Sequence, residues 1–176
     1  MFRKPFLIFV LIVSVANSIF AQDNTSSIYL WVRGDLYRVD PTALTTEPIT
    51  DSGTVSSPAL SPDGTRIAYK EAAQVGLEAL DRVEAEGEIA EIDLPANIAV
   101  FDASTGNTVT IAAQPEDASL LVEGVPDKAI VRSAPAWSPD GTRIAWTEFD
   151  FGTDVSRLMI YDLTSGTTSA LIPEIF

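Results

Sequence analysis

Short stretches of alternating apolar and polar residues, separated by glycine, proline, aspartate or serine, run from Ile28 to the end of the chain. This pattern is typical of β-strands joined by tight turns. One segment departs from it, because the residues between positions 72 and 85 are rich in alanine and glutamate, which favour a helix. The pattern therefore predicts an all-β protein with one partly helical excursion.

Two segments of the chain are nearly identical. Residues 58–71 read PALSPDGTRIAYKE and residues 135–148 read PAWSPDGTRIAWTE, which differ at only three positions. Their shared Ser-Pro-Asp-Gly core joins a proline that fixes φ, an aspartate that bonds to nearby amides and a glycine that tolerates positive φ. Each copy is predicted to be a β-hairpin that turns at residues 61–64 or 138–141. The aromatic residues of the two hairpins, Tyr69, Trp137 and Trp146, are expected to pack in the core rather than to form a ligand cage.

A second, weaker repeat consists of a strand that ends in aspartate, a turn, and an apolar residue nine positions after the aspartate. The aspartates are Asp40, Asp102 and Asp162, and the closing residues are Ile49, Ile111 and Leu171. The first copy lacks the glycine of the other two. Joining this hairpin to the first gives a four-stranded antiparallel unit, the building block of a β-propeller blade. We predict two full blades, over residues 57–113 and 132–172, and three strands of another over residues 28–50.

The phrase Pro-Ala-Leu/Trp-Ser-Pro-Asp-Gly-Thr-Arg-Ile-Ala-Tyr/Trp, followed by an aromatic-aspartate pair and Ser/Thr-Gly, resembles the WD-repeat-like propeller repeat of the TolB family. A similar repeat occurs in the propellers of prolyl oligopeptidase-type peptidases. The resemblance covers residues 28–176 and implies a partial β-propeller. Closed propellers have about four to eight blades. We therefore expect a truncated sequence or a piece of a larger gene product, or else several chains assembled into one ring.

Two insertions, at residues 72–97 and 114–131, interrupt the blades. Because the strands of a blade alternate in direction, both insertions are expected to leave on one side and the short turns on the other. Loops on a rigid scaffold often carry binding residues. The predicted partner-binding residues are Glu78, Asp81, Glu84, Glu86, Leu120 and Leu121. Residues 120–122 and 129–131 are predicted to form a small hairpin.

Composition narrows the possible chemistry. The chain has 25 acidic and 11 basic residues, a net charge of −14, no cysteine and no histidine. Disulfides, metal sites built on histidine or cysteine, and Ser-His-Asp or Cys-His catalysis within this chain are excluded. We expect no cofactor, and calcium is the one plausible metal. The charge disfavours nucleic acid and anionic lipid. Asp150 and Asp154 are close enough in sequence to suggest a carboxylate-only glycosidase, but a β-turn explains them more simply.

The N-terminal residues have the features of a secretory signal peptide. Two basic residues precede an apolar run at positions 6–16, which is shorter than the about 20 residues that span a membrane. We expect residues 1–21 to be removed after Ala21, with Ser18 as the alternative site, and residues 22–27 to form a linker. An uncleaved membrane anchor is the competing interpretation. The mature protein is expected to be periplasmic or secreted, without a stable membrane span.

The sequence shows neither a Gly-x-Ser-x-Gly motif nor a histidine. We therefore expect no enzyme, but an exported binding or scaffold module for a protein or peptide partner. The TolB resemblance implies that this role lies in the cell envelope. Self-association through open blade edges is also expected. The alternative is the N-terminal propeller portion of a prolyl oligopeptidase-like hydrolase whose catalytic domain is absent from this chain.

Overall fold

The computed structural model describes residues 27–86, 94–120 and 126–175. The predicted signal peptide and Leu121 lie outside them. The strands are β1 (Ile28–Val32), β2 (Asp35–Asp40), β3 (Thr45–Pro48), β4 (Val55–Leu60), β5 (Arg66–Ala72), β6 (Ala96–Asp102), β7 (Asn107–Ala112), β8 (Ser119–Leu120), β9 (Pro126–Asp127), β10 (Ile130–Arg132), β11 (Ala136–Trp137), β12 (Arg143–Asp150), β13 (Val155–Asp162) and β14 (Thr167–Ile175). The helix α1 spans Gln74–Glu86. Within these ranges no helix is long and apolar enough to cross a bilayer.

The chain divides into two compact units, the first ending at Val55 and the second beginning at Ser56. The first unit contains one antiparallel sheet in the order β1-β2-β3, here called the first sheet. Arg33 and Gly34 join β1 to β2 with φ angles of 54° and 80°, as a two-residue hairpin turn requires. A Cβ atom at Gly34 would lie 2.1 Å from the carbonyl oxygen of Gly53, so this close approach also requires glycine.

The second unit contains two larger antiparallel sheets. In the second blade the strand order is β4-β5-β6-β7, and in the third blade β10 and β11 both pair with β12, which is followed by β13 and β14. These sheets are the predicted four-stranded units. The chain is therefore an all-β, partial β-propeller with two full blades and three strands of another.

One predicted strand assignment is wrong. Ile130 and Val131 do not form a hairpin with the residues near Leu120, because they pair with Asp150 and Phe149 in the third blade. Strand β12 is eight residues long, and it has room for β10 as well as β11 along the same edge. The hairpin of the second insertion is instead β8 with β9, in which Leu120 lies opposite Pro126.

The two Ser-Pro-Asp-Gly hairpin turns are confirmed. The amide of Gly64 donates to the carbonyl of Ser61, and that of Gly141 donates to the carbonyl of Ser138, both over 2.9 Å. Gly64 and Gly141 have φ angles of 74° and 70°. Each turn thus places its glycine in the left-handed region, where other residues are strained.

Aspartate and serine side chains complete these turns. The Ser138 hydroxyl donates to Asp140 Oδ1 over 2.6 Å and accepts the amide of Arg143 over 2.9 Å. Asp140 Oδ1 also accepts the amide of Thr142 over 3.0 Å. Hydrogen bonds from Ser138 and Thr142 lower the pKa of Asp140 to about 2, so the carboxylate stays ionised at neutral pH.

The turns of the weaker repeat differ in one residue. The amide of Gly106 donates to the carbonyl of Asp102, and that of Gly166 to the carbonyl of Asp162, with φ angles of 72° and 67° for the glycines. In the first sheet Leu44 occupies the corresponding position with φ of 55°. Its side chain is 87% exposed. The first sheet therefore keeps the turn but holds a leucine in a strained conformation.

The core of the second unit lies between its two blades. Its buried residues are Ala68, Ile98, Val100, Ile144 and Trp146. Side chains alternate along a strand, so Ile144 and Trp146 share the side of β12 that faces the second blade. The indole of Trp137 donates to the carbonyl of Ala59 over 2.9 Å, which links the blades directly. Of the predicted core aromatics, Tyr69 and Trp146 are both under 3% exposed, whereas Trp137 is half-buried and packs against the cluster.

Candidate binding surface on the insertions

The first insertion begins with α1, whose sequence of alanine, leucine and glutamate favours a helix. Val75 and Ala79, one turn apart, lie on its buried side and are 7% and 4% exposed. Gln74, Glu78 and Asp81 lie on its exposed side. The predicted helical excursion is confirmed. Its buried apolar residues show which side of the helix packs against the protein.

The two insertions pack against each other. Ala73 and Val75 of the first insertion form a buried cluster with Ala129 of the second, and Ala118 and Leu120 pack against it half-buried. Their contact is the arrangement that alternating strand directions predict for connections on one side of the blades. We call the helix α1 with residues 115–120 and 126–129 the insertion surface.

A glycine lets α1 approach the backbone at Pro95 closely. A Cβ atom at Gly76 would lie 2.4 Å from the carbonyl oxygen of Pro95. The same carbonyl accepts the amide of Ala73 over 3.0 Å. Pro95 also forms an isolated antiparallel bridge with Val131, so the base of the helix is tied to the start of the third blade. No larger residue fits at position 76 without moving the backbone.

Gln114 fixes the start of the second insertion. Its Nε2 donates to the carbonyls of Ala96 and Ile130, over 3.0 and 2.7 Å, and its Oε1 accepts the amide of Ile130 over 2.7 Å. Its own amide donates to Asn97 Oδ1 over 2.9 Å. One side chain thus supplies the hydrogen bonds that strand pairing does not provide to the backbone at this junction.

A buried ion pair secures the end of the same insertion. Arg132 Nε lies 3.2 Å from Glu148 Oε2, and the two side chains are 2% and 7% exposed. The other guanidinium nitrogens donate to the carbonyls of Ala96 and Ala113, over 2.6 and 2.9 Å. Burial lowers the pKa of Arg132, and the charge of Glu148 opposes that shift. Arg132 therefore joins the second blade to the third.

Sequence reasoning did not find Arg132, Glu148 or Gln114. Their partners are 16 to 36 residues away along the chain. The one available signal in the sequence was that both copies of the shared motif end in a glutamate, Glu71 and Glu148.

The predicted binding residues have different positions. Glu78 and Asp81 are exposed on α1, and Glu78 accepts a hydrogen bond from the Gln74 side chain over 3.2 Å. Glu84 and Glu86 lie on the last turns of the helix. Leu120 is half-buried against the apolar cluster, so part of its side chain already packs within the protein.

The second insertion adds further charge. Glu116 and Asp117 are exposed, and Asp117 lies 3.1 Å from Lys128. Both partners of this pair are more than half exposed, so its contribution to stability is small. The insertion surface is therefore predominantly acidic, and its Lys128 is paired with Asp117. No group of three or more carboxylates close enough to hold a metal occurs in the described ranges.

Asp150 has a structural role in a turn. Its Oδ1 accepts the amide of Gly152 over 2.9 Å, and its Oδ2 lies 3.1 Å from Arg157 Nη1. Burial alone would raise the pKa of Asp150, but hydrogen bonds from Thr153, Arg157 and Gly152 outweigh it and lower that pKa. A glycosidase acid needs the opposite shift. Asp154, with φ of 56°, is a turn residue as well.

A shallow cavity of about 290 Å³ lies elsewhere, within the first unit. Arg38, Asp40 and Glu47 are among its lining residues, and Arg38 forms an ion pair with Glu47. None of the predicted binding residues lines it.

Comparison with known proteins supports the fold. Neither a protein-family model nor a curated protein sequence matches the chain. Dipeptidyl peptidase 4 from Porphyromonas gingivalis superposes with a TM-score of 0.53 at 14% identity, over 91% of this chain and 23% of that one. The β-propeller domain of the Trilobed protease from Pyrococcus furiosus gives 0.49 at 15% identity, over 85% and 40%. TolB from Acinetobacter baumannii gives 0.33 at 17% identity, over 84% and 40%.

The chain spans less than half the length of each of these structures. At such identities the likeness concerns the fold alone. The chain is thus a propeller module, and its function has to be argued from its own surface.

Proposed function

We propose that this chain is an exported, non-catalytic binding module of the TolB-like propeller type, which holds a protein or peptide partner in the cell envelope. The observation that carries the proposal is the packing of Ala73, Val75 and Ala129, which joins two separate insertions into one surface. A scaffold with only short turns would suffice for folding. Two long connections that pack together are better explained by a binding role.

The charge of the insertion surface determines the kind of partner. Glu78, Asp81 and Glu116 are exposed, and the chain carries a net charge of −14. A partner with lysine or arginine side chains, or with free hydrogen-bond donors, fits such a surface. Each exposed ion pair contributes only about 0–1 kcal/mol, so several contacts have to act together. Binding should weaken with salt, because the Debye length falls from about 10 Å at 0.1 M to about 3 Å at 1 M.

The test removes two charges without changing side-chain shape. The full chain is immobilised, envelope proteins are captured and identified, and the dissociation constant is measured for the double variant Glu78→Gln, Asp81→Asn. At about 0.5 kcal/mol per lost pair, affinity should fall about fivefold.

The matched control for this test is Asp154→Asn, Glu174→Gln, which removes the same charge from exposed positions outside the insertion surface. Affinity should stay unchanged in the control. Equal losses in both double variants, or no loss in either, would reject the insertion surface as the binding site.

A hydrolase accessory domain is the second candidate. A region of the dipeptidyl peptidase superposes on 91% of this chain, so a fold of this kind also occurs as one part of a larger peptidase. The reading frame that follows codon 176 distinguishes the two candidates. Further Ser-Pro-Asp-Gly blades without a catalytic motif support the binding module, whereas a Gly-x-Ser-x-Gly motif and a histidine support the hydrolase.

Export is supported by the N-terminal sequence alone, in which two basic residues precede an apolar run. The mass of the protein purified from its native host tests it. We expect a chain that begins at Gln22, and a chain that retains residue 1 would favour a membrane anchor instead.

A further inference from the structure

The weaker repeat places an arginine opposite its aspartate in the second and third blades. Arg66 lies opposite Asp102 in the register of β5 and β6, and its Nε donates to Asp102 Oδ2 over 2.8 Å. Arg143 lies opposite Asp162 in the same way, and the pKa of that carboxyl is lowered by the amide of Ser165 and also by the charge of Arg143. Both arginines end the Ser-Pro-Asp-Gly-Thr-Arg part of the motif. The turn-forming aspartate of each blade therefore has a guanidinium group of the chain opposite it.

The first sheet has a serine at this position. By register, the residue opposite Asp40 is Ser27, one position before Ile28. Asp40 Oδ1 accepts the amides of Thr42 and Ala43 over 2.7 and 2.9 Å, whereas no described residue donates to its Oδ2. The two amides, that of Ala43 most, lower the pKa of Asp40, so its carboxylate is ionised at neutral pH. One carboxylate oxygen thus faces neither a cation nor a donor from the described part of the chain.

The smaller side chain leaves space beside this carboxylate. Ser27 and Asp40 both line the cavity of about 290 Å³ in the first unit. Because serine is much smaller than arginine, the position that a guanidinium group takes in the second blade is here part of a cavity. Its volume is near the lower end of the roughly 300–1,000 Å³ of small-molecule pockets, which suits a group the size of one side chain.

The charges around the cavity favour a single cation. The charged residues that line it are Arg38, Asp40 and Glu47, and Arg38 already forms an ion pair with Glu47. The lining therefore carries one net negative charge, that of Asp40. Thr42 and Thr45 add hydroxyl groups that accept hydrogen bonds from the several N–H donors of a guanidinium group. A free amino acid fits less well, because the described lining has no unpaired cation for its carboxylate.

We propose that this cavity binds an arginine side chain of a protein or peptide partner, in the place that Arg66 takes opposite Asp102 in the second blade. The guanidinium group donates to Asp40 Oδ2, as Arg66 Nε donates to Asp102 Oδ2. Leu44, next to the lining residue Thr45, is 87% exposed with φ of 55° and offers an apolar contact beside the cavity. The cavity shares no residue with the insertion surface, so this inference does not depend on the proposed function.

A titration of the isotope-labelled full chain, followed by NMR, tests the proposal. The probe is capped arginine, N-acetyl-arginine-N-methylamide, and we expect saturable shifts of the amide signals of Thr42, Ala43 and Thr45. Capped citrulline has nearly the same shape without the charge, and it should bind at least about tenfold more weakly. Capped lysine carries the charge without the planar fork, and it should bind at least about threefold more weakly.

Two variants remove the site in different ways. Asp40→Asn removes the charge but keeps a side-chain oxygen for the amides of Thr42 and Ala43. Ser27→Arg supplies the guanidinium group from the chain itself, so the cavity is filled. In both variants the affinity for capped arginine should fall at least about tenfold.

The second blade provides the matched control. The amide of Ser104 donates to Asp102, and its signal should not shift in the wild-type chain, because Arg66 already takes the place opposite that carboxylate. In the variant Arg66→Ser the same signal should respond to capped arginine, since the change reproduces the serine of the first sheet.

Several results would overturn the proposal. Capped citrulline or lysine that binds as tightly as capped arginine would show that the cavity does not recognise a guanidinium group. Unchanged affinity in both Asp40→Asn and Ser27→Arg would place the binding elsewhere on the chain. Free arginine that binds more tightly than capped arginine would indicate an amino-acid ligand instead of a side chain of a partner.

Discussion

The short turns and the insertion surface are held together in different ways. The turn at Ser138 is closed by hydrogen bonds between residues two to five positions apart. The insertion surface depends on Gly76, Gln114 and Arg132, whose partners lie far away along the chain. The turns repeat because their sequence repeats. The bonds beneath the insertions do not repeat. They join the second blade to the third, so they form only when both blades are present.

This difference has consequences for stability. In the turn at Ser138 the side chains of Asp140 and Thr142 are exposed to water, which replaces a lost hydrogen bond at small cost. The groups beneath the insertions are buried. Removal of one partner therefore leaves a charge or a carbonyl that has lost a hydrogen bond and that water cannot reach. Damage to the insertion side should therefore cost more than damage to the turns.

Removal of the buried cation should have the largest effect. Arg132→Met leaves Glu148 buried without its partner and leaves the carbonyl of Ala96 short of a donor. We expect a loss of about 3–5 kcal/mol in the free energy of unfolding, measured by urea denaturation of the mature chain.

The double variant Arg132→Met, Glu148→Leu serves as the control, because it removes both charges together. Replacement of a whole buried pair by apolar residues is often nearly neutral, so most of the lost stability should return. If Arg132→Met alone costs less than about 1 kcal/mol, the pair does not connect the blades as described.

A single methyl group beneath α1 should have an intermediate effect. In Gly76→Ala the new Cβ meets the carbonyl oxygen of Pro95, which belongs to the backbone and cannot turn away. We expect a loss of about 1–3 kcal/mol in the same assay, although alanine favours helices. Gln74→Ala, on the exposed side of the helix, should change stability by less than about 0.5 kcal/mol. A stabilising Gly76→Ala would show that the helix does not approach Pro95 so closely.

A methyl group on the turn side should cost less. In Gly141→Ala the added Cβ would lie 3.6 Å from Pro62 Cδ, an ordinary contact, so the penalty comes only from the φ of 70°. We expect a loss of about 1–2 kcal/mol in thermal or urea unfolding. A neutral result would mean that the turn relaxes to another conformation.

The first sheet allows the reverse experiment. Leu44 holds the position that glycine takes in the other two turns, with φ of 55° and an exposed side chain. Leu44→Gly should therefore relieve strain and raise the free energy of unfolding by about 1 kcal/mol, less the entropy gained by the unfolded chain. Leu44→Ala, which shortens the side chain but keeps the strain, should give no such gain.

The sequence was sufficient to predict the structure of a segment wherever the contacts that determine it lie close together along the chain. The turns at residues 61–64 and 138–141 were predicted because their proline, aspartate and glycine act on their own backbone. The helix α1 was predicted from its composition. Ile130 was misplaced because its pairing with Asp150 depends on the length of β12, which no local pattern records. Arg132 was missed because nothing in the local sequence distinguishes a buried, paired arginine from one on an exposed strand.

The position of the binding surface is the central claim, and hydrogen exchange tests it most directly. Amide exchange of the full chain is compared with and without the captured partner. We expect protection in α1 and at residues 115–120 and 126–129, with little change at the turns around Gly64, Gly106 and Gly141. Protection confined to those turns, with the insertion surface unchanged, would contradict the proposal that this surface binds the partner.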